Sequence, residues 1–447
     1  MKEDLSIFDL LLAPIYIFLA WLIANSIKNK NLYNHPEYKY FTYGLLAKIV
    51  GAIALGLVYF FYYDGGDTTN YFESAKAYDN LFFKNQEDFW WGWLGDARGY
   101  DYYFFDENTG YSAYYQINTT SFFVVRLLIP IVALAFKSYF ASAVLTACIT
   151  YTGVWKLYQT FLQEFPTLKR ELAIAVLFIP SCIFWGSGLM KDSFTLSAVG
   201  WFTYSFYYFF IRKKRKIIFI IEIFISSVII LSIKPYIFFA LLPGSILWLS
   251  NQQIKKIHNV TIRFMATPIL LLLGSLAGYL TLNQMGDSLG LYKIDTVLDR
   301  AVVVQQDMKA DYYGGKSFDI GTFDASASGV ISKAPVAIFA GIFRPGIWDV
   351  KNVVMLFSSI ENTYLLILTV FLLIRLKVIG FFKIVRNTPL LLFAMLFSLF
   401  FAFSVGLTVA NFGSLVRLRI PELPFFVAGL FIMRHLYEKQ SGVKVRF

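Results

Sequence analysis

Apolar side chains gather into blocks, most of them about 17 to 25 residues long, at about 8–27, 41–63, 138–162, 172–189, 193–211, 217–233, 264–282, 353–374, 389–410 and 420–434. A shorter block lies at 236–250. A hydrocarbon core of about 30 Å takes roughly 20 helical residues, so blocks of this length predict membrane-crossing helices. None shows the in/out alternation of a barrel strand, which excludes an outer-membrane β-barrel. The pattern predicts an all-α, polytopic transmembrane helical bundle.

Composition strengthens this reading. The 447 residues are 57% hydrophobic and 15% charged, with 47 Phe and 29 Tyr, and their mean hydropathy is +0.58. Soluble domains carry roughly 25% charged residues. A cytosolic enzyme is excluded. The N-terminus, MKEDLSIF, has no basic leader region, so the first block is expected to be a retained span.

The net charge of +11 acquires meaning from its placement. The connections 28–40, 163–171, 212–216, 251–263, 375–388 and 434–447 hold 21 Lys/Arg and four acids, whereas 64–118 and 283–333 hold 17 acids and eight bases. The basic set is expected in the cytoplasm and the acidic set on the other side. Run 119–136 breaks the alternation. With Arg126 and Pro130 inside it, a re-entrant or interfacial helix is predicted there. About eleven spans remain, with the N-terminus out and the C-terminus in. The chain 1–447 then forms one transmembrane domain, with outer loops at 64–118 and 283–350 that carry interfacial helices.

Several residue types drop out as chemistry. Cys148 and Cys182 lie singly in apolar blocks, so neither a disulfide framework nor a zinc site is indicated. His35, His258 and His435 are widely spaced. The run R-K-K-R-K at 212–216 reads as a cytoplasmic stop signal, and no nucleic-acid partner is expected.

The unusual ionisable residues fall on the predicted outer face. Asp64 and Asp67 flank Gly65–Gly66 where the second span ends; Asp67 is either a helix cap or a carboxylate available as base or metal ligand. Lys191 and Asp192 sit at a Pro- and Gly-broken hairpin tip, and Lys234 precedes Pro235 between two short apolar blocks. Arg344 and Asp349 lie in 334–348, too short to span and expected to lie along the surface. Arg417, Arg419 and Glu422 end the set beside Pro421 and Pro424. Each alone reads as an interfacial anchor. Together they exceed what the charge bias allows on this side.

Three stretches, G-G-D-T-T-N-Y-F (65–72), P-S-C-I-F-W-G-S-G-L-M-K-D (180–192) and N-F-G-S-L-V-R-L-R-I-P (411–421), resemble the polytopic GT-C-type glycosyltransferases that use polyprenyl-linked sugars in bacterial envelope polysaccharide synthesis. The resemblance implies a GT-C-like bundle in the inner (cytoplasmic) membrane and glycosyl transfer at the extracytoplasmic face. It implies a polyprenyl-phosphate or polyprenyl-pyrophosphate sugar as donor and a glycan or lipid as acceptor. Asp67 takes the catalytic role, and Lys191, Lys234, Arg344, Arg417 and Arg419 share the lipid phosphate. Asp64, Asp192, Asp349, Glu422 and Arg126 support them. No cofactor is certain; a divalent metal, if any, falls to Asp64 and Asp67. A polysaccharide polymerase, a lipid-linked-sugar flippase and a non-catalytic assembly subunit remain open, the last predicting scattered, mutually paired charges.

Overall fold

In a computed structural model, the apolar blocks within the described residues are helical. The structure describes residues 7–95, 101–110, 118–255, 317–321 and 326–442, with single positions at 115, 265, 269, 303 and 324. The expected span 264–282 and most of the outer loop 283–350, up to 316, lie outside the described residues. The helices are α1 (Ile7–Leu32), α2 (Phe41–Phe61), α3 (Asp67–Lys84), α4 (Gln86–Leu94), α5 (Thr119–Leu134), α6 (Tyr139–Glu164), α7 (Lys169–Leu177), α8 (Pro180–Trp185) and α9 (Lys191–Phe206). They continue with α10 (Ile217–Ile233), α11 (Pro235–Lys255), α12 (Ala327–Ser332), α13 (Ala334–Phe343), α14 (Val353–Asn387), α15 (Pro389–Thr408), α16 (Phe412–Leu418) and α17 (Leu423–Ser441). Among the described residues the only β feature is an isolated bridge between Ser317 and Asn411.

Among the described residues, five segments are long and apolar enough to cross a bilayer: Leu11–Leu32, Pro36–Phe61, Tyr139–Glu164, Met355–Asn387 and Pro389–Thr408. Each coincides with an expected span. The block 172–189 does not form one helix. It is split into the nine residues of α7 and the six of α8, because Pro180 lacks an amide hydrogen and disfavours helical backbone at Ile179. Block 193–211 is α9 extended by a π-helical turn at Tyr207–Ile211. Within α14 the backbone leaves the helix at Lys377 (φ 55°), near where the expected span 353–374 stops.

The contacts define two compact units. The first comprises Met1–Thr160, Cys182–Ser205 and Lys216–Pro235. Within it α3 packs on α5 and α4, and α5 also meets α10. At 16 residues and ~1.5 Å per residue, α5 is about 24 Å long, short of a hydrocarbon core. Small residues set the closest approach of α6 and α9: a Cβ on Gly153 would lie 2.0 Å from the Ser197 carbonyl oxygen, and one on Gly200 2.1 Å from that of Gly153.

The second unit comprises Phe161–Ser181, Phe206–Arg215 and Tyr236–Phe447. Its centre is α15 and α17, where Phe393, Phe397 and Phe425 form edge-to-face contacts. Here the surface-lying helix expected at 334–348 takes another form. Helix α13 runs antiparallel along α15, because a Cβ on Gly341 would meet the Ala402 carbonyl oxygen at 2.2 Å and one on Gly406 that of Ala337 at 1.9 Å. These four small residues, spaced by four on each helix, bring the backbones together as in packed membrane helices.

Candidate functional site

The end of α2 sets up the first cluster. Tyr62 and Tyr63 both donate their amides to the Val58 carbonyl, at 2.9 and 3.0 Å, and Gly65 donates to Tyr59 at 2.8 Å. Asp64, Gly65 and Gly66 then take positive φ values of 57, 116 and 136°, reversing the chain. Gly66, rather than Asp67, is the N-cap of α3, and the Thr69 hydroxyl turns back to it, accepting from its amide at 3.0 Å. Asp67 is therefore in the first turn, where the helix dipole favours a carboxylate, and its side chain is half-buried.

Asp67 is held by a residue 48 positions away. The Tyr115 hydroxyl donates to Asp67 Oδ1 at 2.8 Å, Asn70 also bonds that hydroxyl, and the Tyr115 ring stacks on Tyr71 at 4.3 Å. Burial, followed by the Asp67 charge, pushes the phenol well above the ordinary tyrosine range. Tyr115 is thus a fixed proton donor.

A short segment leads from Tyr115 to a cation. The Asn118 amide donates to the Tyr115 carbonyl at 3.1 Å. Asn118 then caps α5, its Oδ1 accepting from the Thr120 and Ser121 amides and from the Thr120 hydroxyl at 2.8 Å. Lys191 Nζ donates to that same hydroxyl at 2.8 Å. Lys191 opens α9 and is half-buried. Beside it, Asp192 is 0% exposed and pairs with Lys234, 4% exposed. Asp192 lies in the first turn of α9 and Lys234 at the C-cap of α10, so both charges also complement helix dipoles. Within α2, the buried Lys48 donates to the Gly186 carbonyl.

The second unit has its own cluster. Arg344 forms a forked pair with Asp349, Nε to Oδ2 at 3.1 Å and Nη2 to Oδ1 at 2.6 Å. It also lies 5.0 and 5.1 Å over the Phe318 and Phe412 rings. Arg419 is fully buried and donates to the carbonyls of Ile342 (2.9 Å) and Arg344 (3.1 Å) and to Asn362 Oδ1. It therefore caps the C-terminal end of α13. Asn362 donates onward to the Pro345 carbonyl at 2.7 Å, while its neighbour Glu361 accepts from the Ser181 amide at 2.9 Å. Glu422 is buried near Arg419. Arg417, in the last turn of α16, is half-exposed.

No family model, curated protein or solved structure matches this chain.

Of the expected residues, Asp67 and Lys191 share one hydrogen-bonded array in the first unit. Lys234 and Asp192 are sequestered in a mutual pair there. Arg126, the arginine inside an apolar run, is also structural: it donates to the Gly95 carbonyl at the C-cap of α4, and its guanidinium lies 4.7 Å over Phe122. Asp64 is exposed in the turn, and among the described residues no group of three or more His, Cys, Asp or Glu could hold a metal ion. Tyr115, Asn118 and Thr120 were not expected. Their signal is absent locally, since the bonds that matter join distant segments. The pair Glu361–Asn362 did carry one: two polar residues inside an apolar block need internal partners.

Proposed function

We propose that this chain is an eleven-span, GT-C-like membrane glycosyltransferase, N-terminus out and C-terminus in, acting on a polyprenyl-phosphate or polyprenyl-pyrophosphate sugar at the extracytoplasmic face of a bacterial inner membrane. The observation that carries the reading is the array Asp67–Tyr115–Asn118–Thr120–Lys191, which links a half-buried carboxylate to a half-buried ammonium. Transfer needs a base on the acceptor hydroxyl and a cation against the leaving phosphate. As the acceptor oxygen bonds to the anomeric carbon, its proton passes to Asp67. The bond from that carbon to the phosphate oxygen breaks, and the electron pair leaves on the lipid phosphate beside Lys191. Tyr115 orients the Asp67 carboxylate. The buried Lys234 and Arg419 hold the fold in this proposal.

A specific observation also favours a second reading, a non-catalytic assembly subunit: Lys234–Asp192 and Arg344–Asp349 are mutually paired. Replacing Asp67 by Asn, and separately Lys191 by Ala, separates the two. Loss of lipid-linked product in membranes with normal protein levels supports transfer. Unchanged product in both leaves the assembly role.

A further inference from the structure

A cavity apart from the array above opens in the first unit. Its volume is about 390 Å³, and its walls are Asn80, Phe83, Lys84, Asn108, Thr109 and Lys137. Those residues come from three segments: the last turns of α3, the turn after residue 105, and the connection between α5 and α6. Asn80, Phe83 and Lys84 share a helix face through their i, i+3, i+4 spacing.

The walls are tied together before any ligand arrives. Asn80 Nδ2 donates to the Thr109 carbonyl at 3.0 Å, and its Oδ1 accepts from Lys137 Nζ at 2.7 Å. Lys137 also pairs with the buried Asp79 at 3.2 Å and lies 5.1 Å over the Phe83 ring. Lys84 donates to Asp106 Oδ2 at 3.0 Å and to the Phe104 carbonyl at 3.3 Å. Two ammonium groups, two side-chain amides and a phenyl face thus surround one preformed hollow, and preorganisation of this kind lowers the cost of binding.

Phe83 decides the ligand class. It is 75% exposed, whereas Leu81 two residues before it is fully buried, and an aromatic face flanked by amide and ammonium donors fits a sugar ring, whose C–H face is apolar and whose hydroxyls accept hydrogen bonds. Each lysine is already matched by an aspartate, Lys84 by Asp106 and Lys137 by Asp79, but an ammonium has three N–H groups and each makes only two of the bonds named above, so each has one left to donate to a carboxylate on that ring. The volume lies at the small end of the ~300–1,000 Å³ of ligand pockets, suited to a sugar unit rather than to an acyl chain.

We propose that this cavity is a binding site for an acidic saccharide, a sugar ring bearing a carboxylate. This rests on the transferase reading only in making that saccharide part of the acceptor glycan. The test is calorimetric titration of the full-length protein in neutral-lipid nanodiscs with glucuronate- and galacturonate-containing oligosaccharides, and with a neutral N-acetylglucosamine tetrasaccharide for comparison. Saturable binding of an acidic oligosaccharide, at least tenfold tighter than the neutral one and weakened at least tenfold by F83A and by N108A, is expected. Both substitutions are at exposed positions; K84Q provides a third variant that removes one cation. No saturable binding of any acidic oligosaccharide, or binding indifferent to all three substitutions, overturns the proposal. So does loss of binding when phosphatidylglycerol replaces the neutral lipid, which marks a lipid-headgroup site. The titration needs no turnover, whereas the transferase reading stands or falls on D67N product formation, so either can fail alone.

Discussion

The Tyr115 hydroxyl donates to Asp67 Oδ1 at 2.8 Å, so a residue in the connection before α5 fixes the carboxylate that opens α3. Burial of Tyr115 keeps its proton in place, and the bond therefore survives at pH values where an exposed tyrosine ionises.

Removing that hydroxyl has a defined consequence. A hydrogen bond to a charged group contributes about 1.5–3 kcal/mol, so Y115F is expected to lower transfer by about tenfold or more while the protein still folds. Lipid-linked product per unit of protein measures it; undiminished product removes Tyr115 from the site. The same phenol carries an alkaline signature. Its folded pKa lies above the unfolded one, so its contribution is complete below about pH 10 and declines as pH rises from there toward the folded value. Thermal unfolding of Y115F is expected to lose less than wild type between pH 9 and 11.

Lys234 and Asp192 form a pair with almost no access to solvent. Removing one partner of such a pair typically costs about 3–5 kcal/mol, because the other charge stays buried. D192A and K234A are each expected to reduce folded yield sharply, and D192A/K234M to recover much of it. Equal loss in the single and double variants would show that the pair contributes no coupling.

The helices were readable from the apolar pattern because burial in lipid imposes it directly: the blocks 41–63 and 389–410 became α2 and α15 within a few residues. Pro180 marked a break, but not that it would divide a span. The partners of the charges were not readable. Lys234 finds Asp192 42 positions away, and Arg419 finds Asn362 at 57 and the Ile342 carbonyl at 77. Such pairings follow from helix packing, which a local pattern does not encode. Arg126 and Arg419 illustrate the cost of missing it: the sequence suggests Arg419 as a phosphate ligand and Arg126 as a supporting residue, yet each donates to backbone carbonyl oxygen at the end of another helix.

Arg419 gives a test of that structural role. Its guanidinium serves two carbonyls and one amide oxygen at once, a forked geometry that an ammonium does not reproduce. R419K is therefore expected to destabilise nearly as much as R419A, by about 3 kcal/mol or more by analogy with other buried charged groups. Thermal unfolding in detergent reads the difference. A lysine variant with wild-type stability would leave only charge, not the fork, as the requirement.

Gly406 and Gly341 bring α15 and α13 within backbone contact. A methyl group at Gly406 would sit 1.9 Å from the Ala337 carbonyl oxygen, so the helices must separate. Overpacking costs typically about 1–3 kcal/mol, and G406A is expected to lower the unfolding temperature measurably, with G406V more severe. By contrast, nothing lies within 4 Å of a Cβ at Gly442, which is positioned beyond α17 with φ 69°. G442A is therefore opposed by backbone strain alone and is expected to cost about 1 kcal/mol. An equal effect at both glycines would refute close packing at Gly406.

Asp106 predicts how the turn at residues 106–110 responds to acid. Its Oδ1 accepts the Asn108 and Thr109 amides, each at 3.0 Å, and its Oδ2 accepts Lys84 at 3.0 Å. The Thr109 amide first, and Lys84 next, hold the carboxyl down to about 2, against 3.8 for an unperturbed aspartate. Because the folded value is the lower one, the turn is fully supported above about pH 4 and loses that support as pH falls through 2. Limited pepsin digestion at pH 4, 3 and 2, with cleavage sites mapped by mass spectrometry, tests this in the native chain. Wild type is expected to resist cutting between residues 101 and 110 at pH 4 and to become sensitive near pH 2, whereas D106A is sensitive throughout. Sensitivity of wild type already at pH 4, or identical digestion of the two proteins, would mean that the carboxylate does not hold the turn.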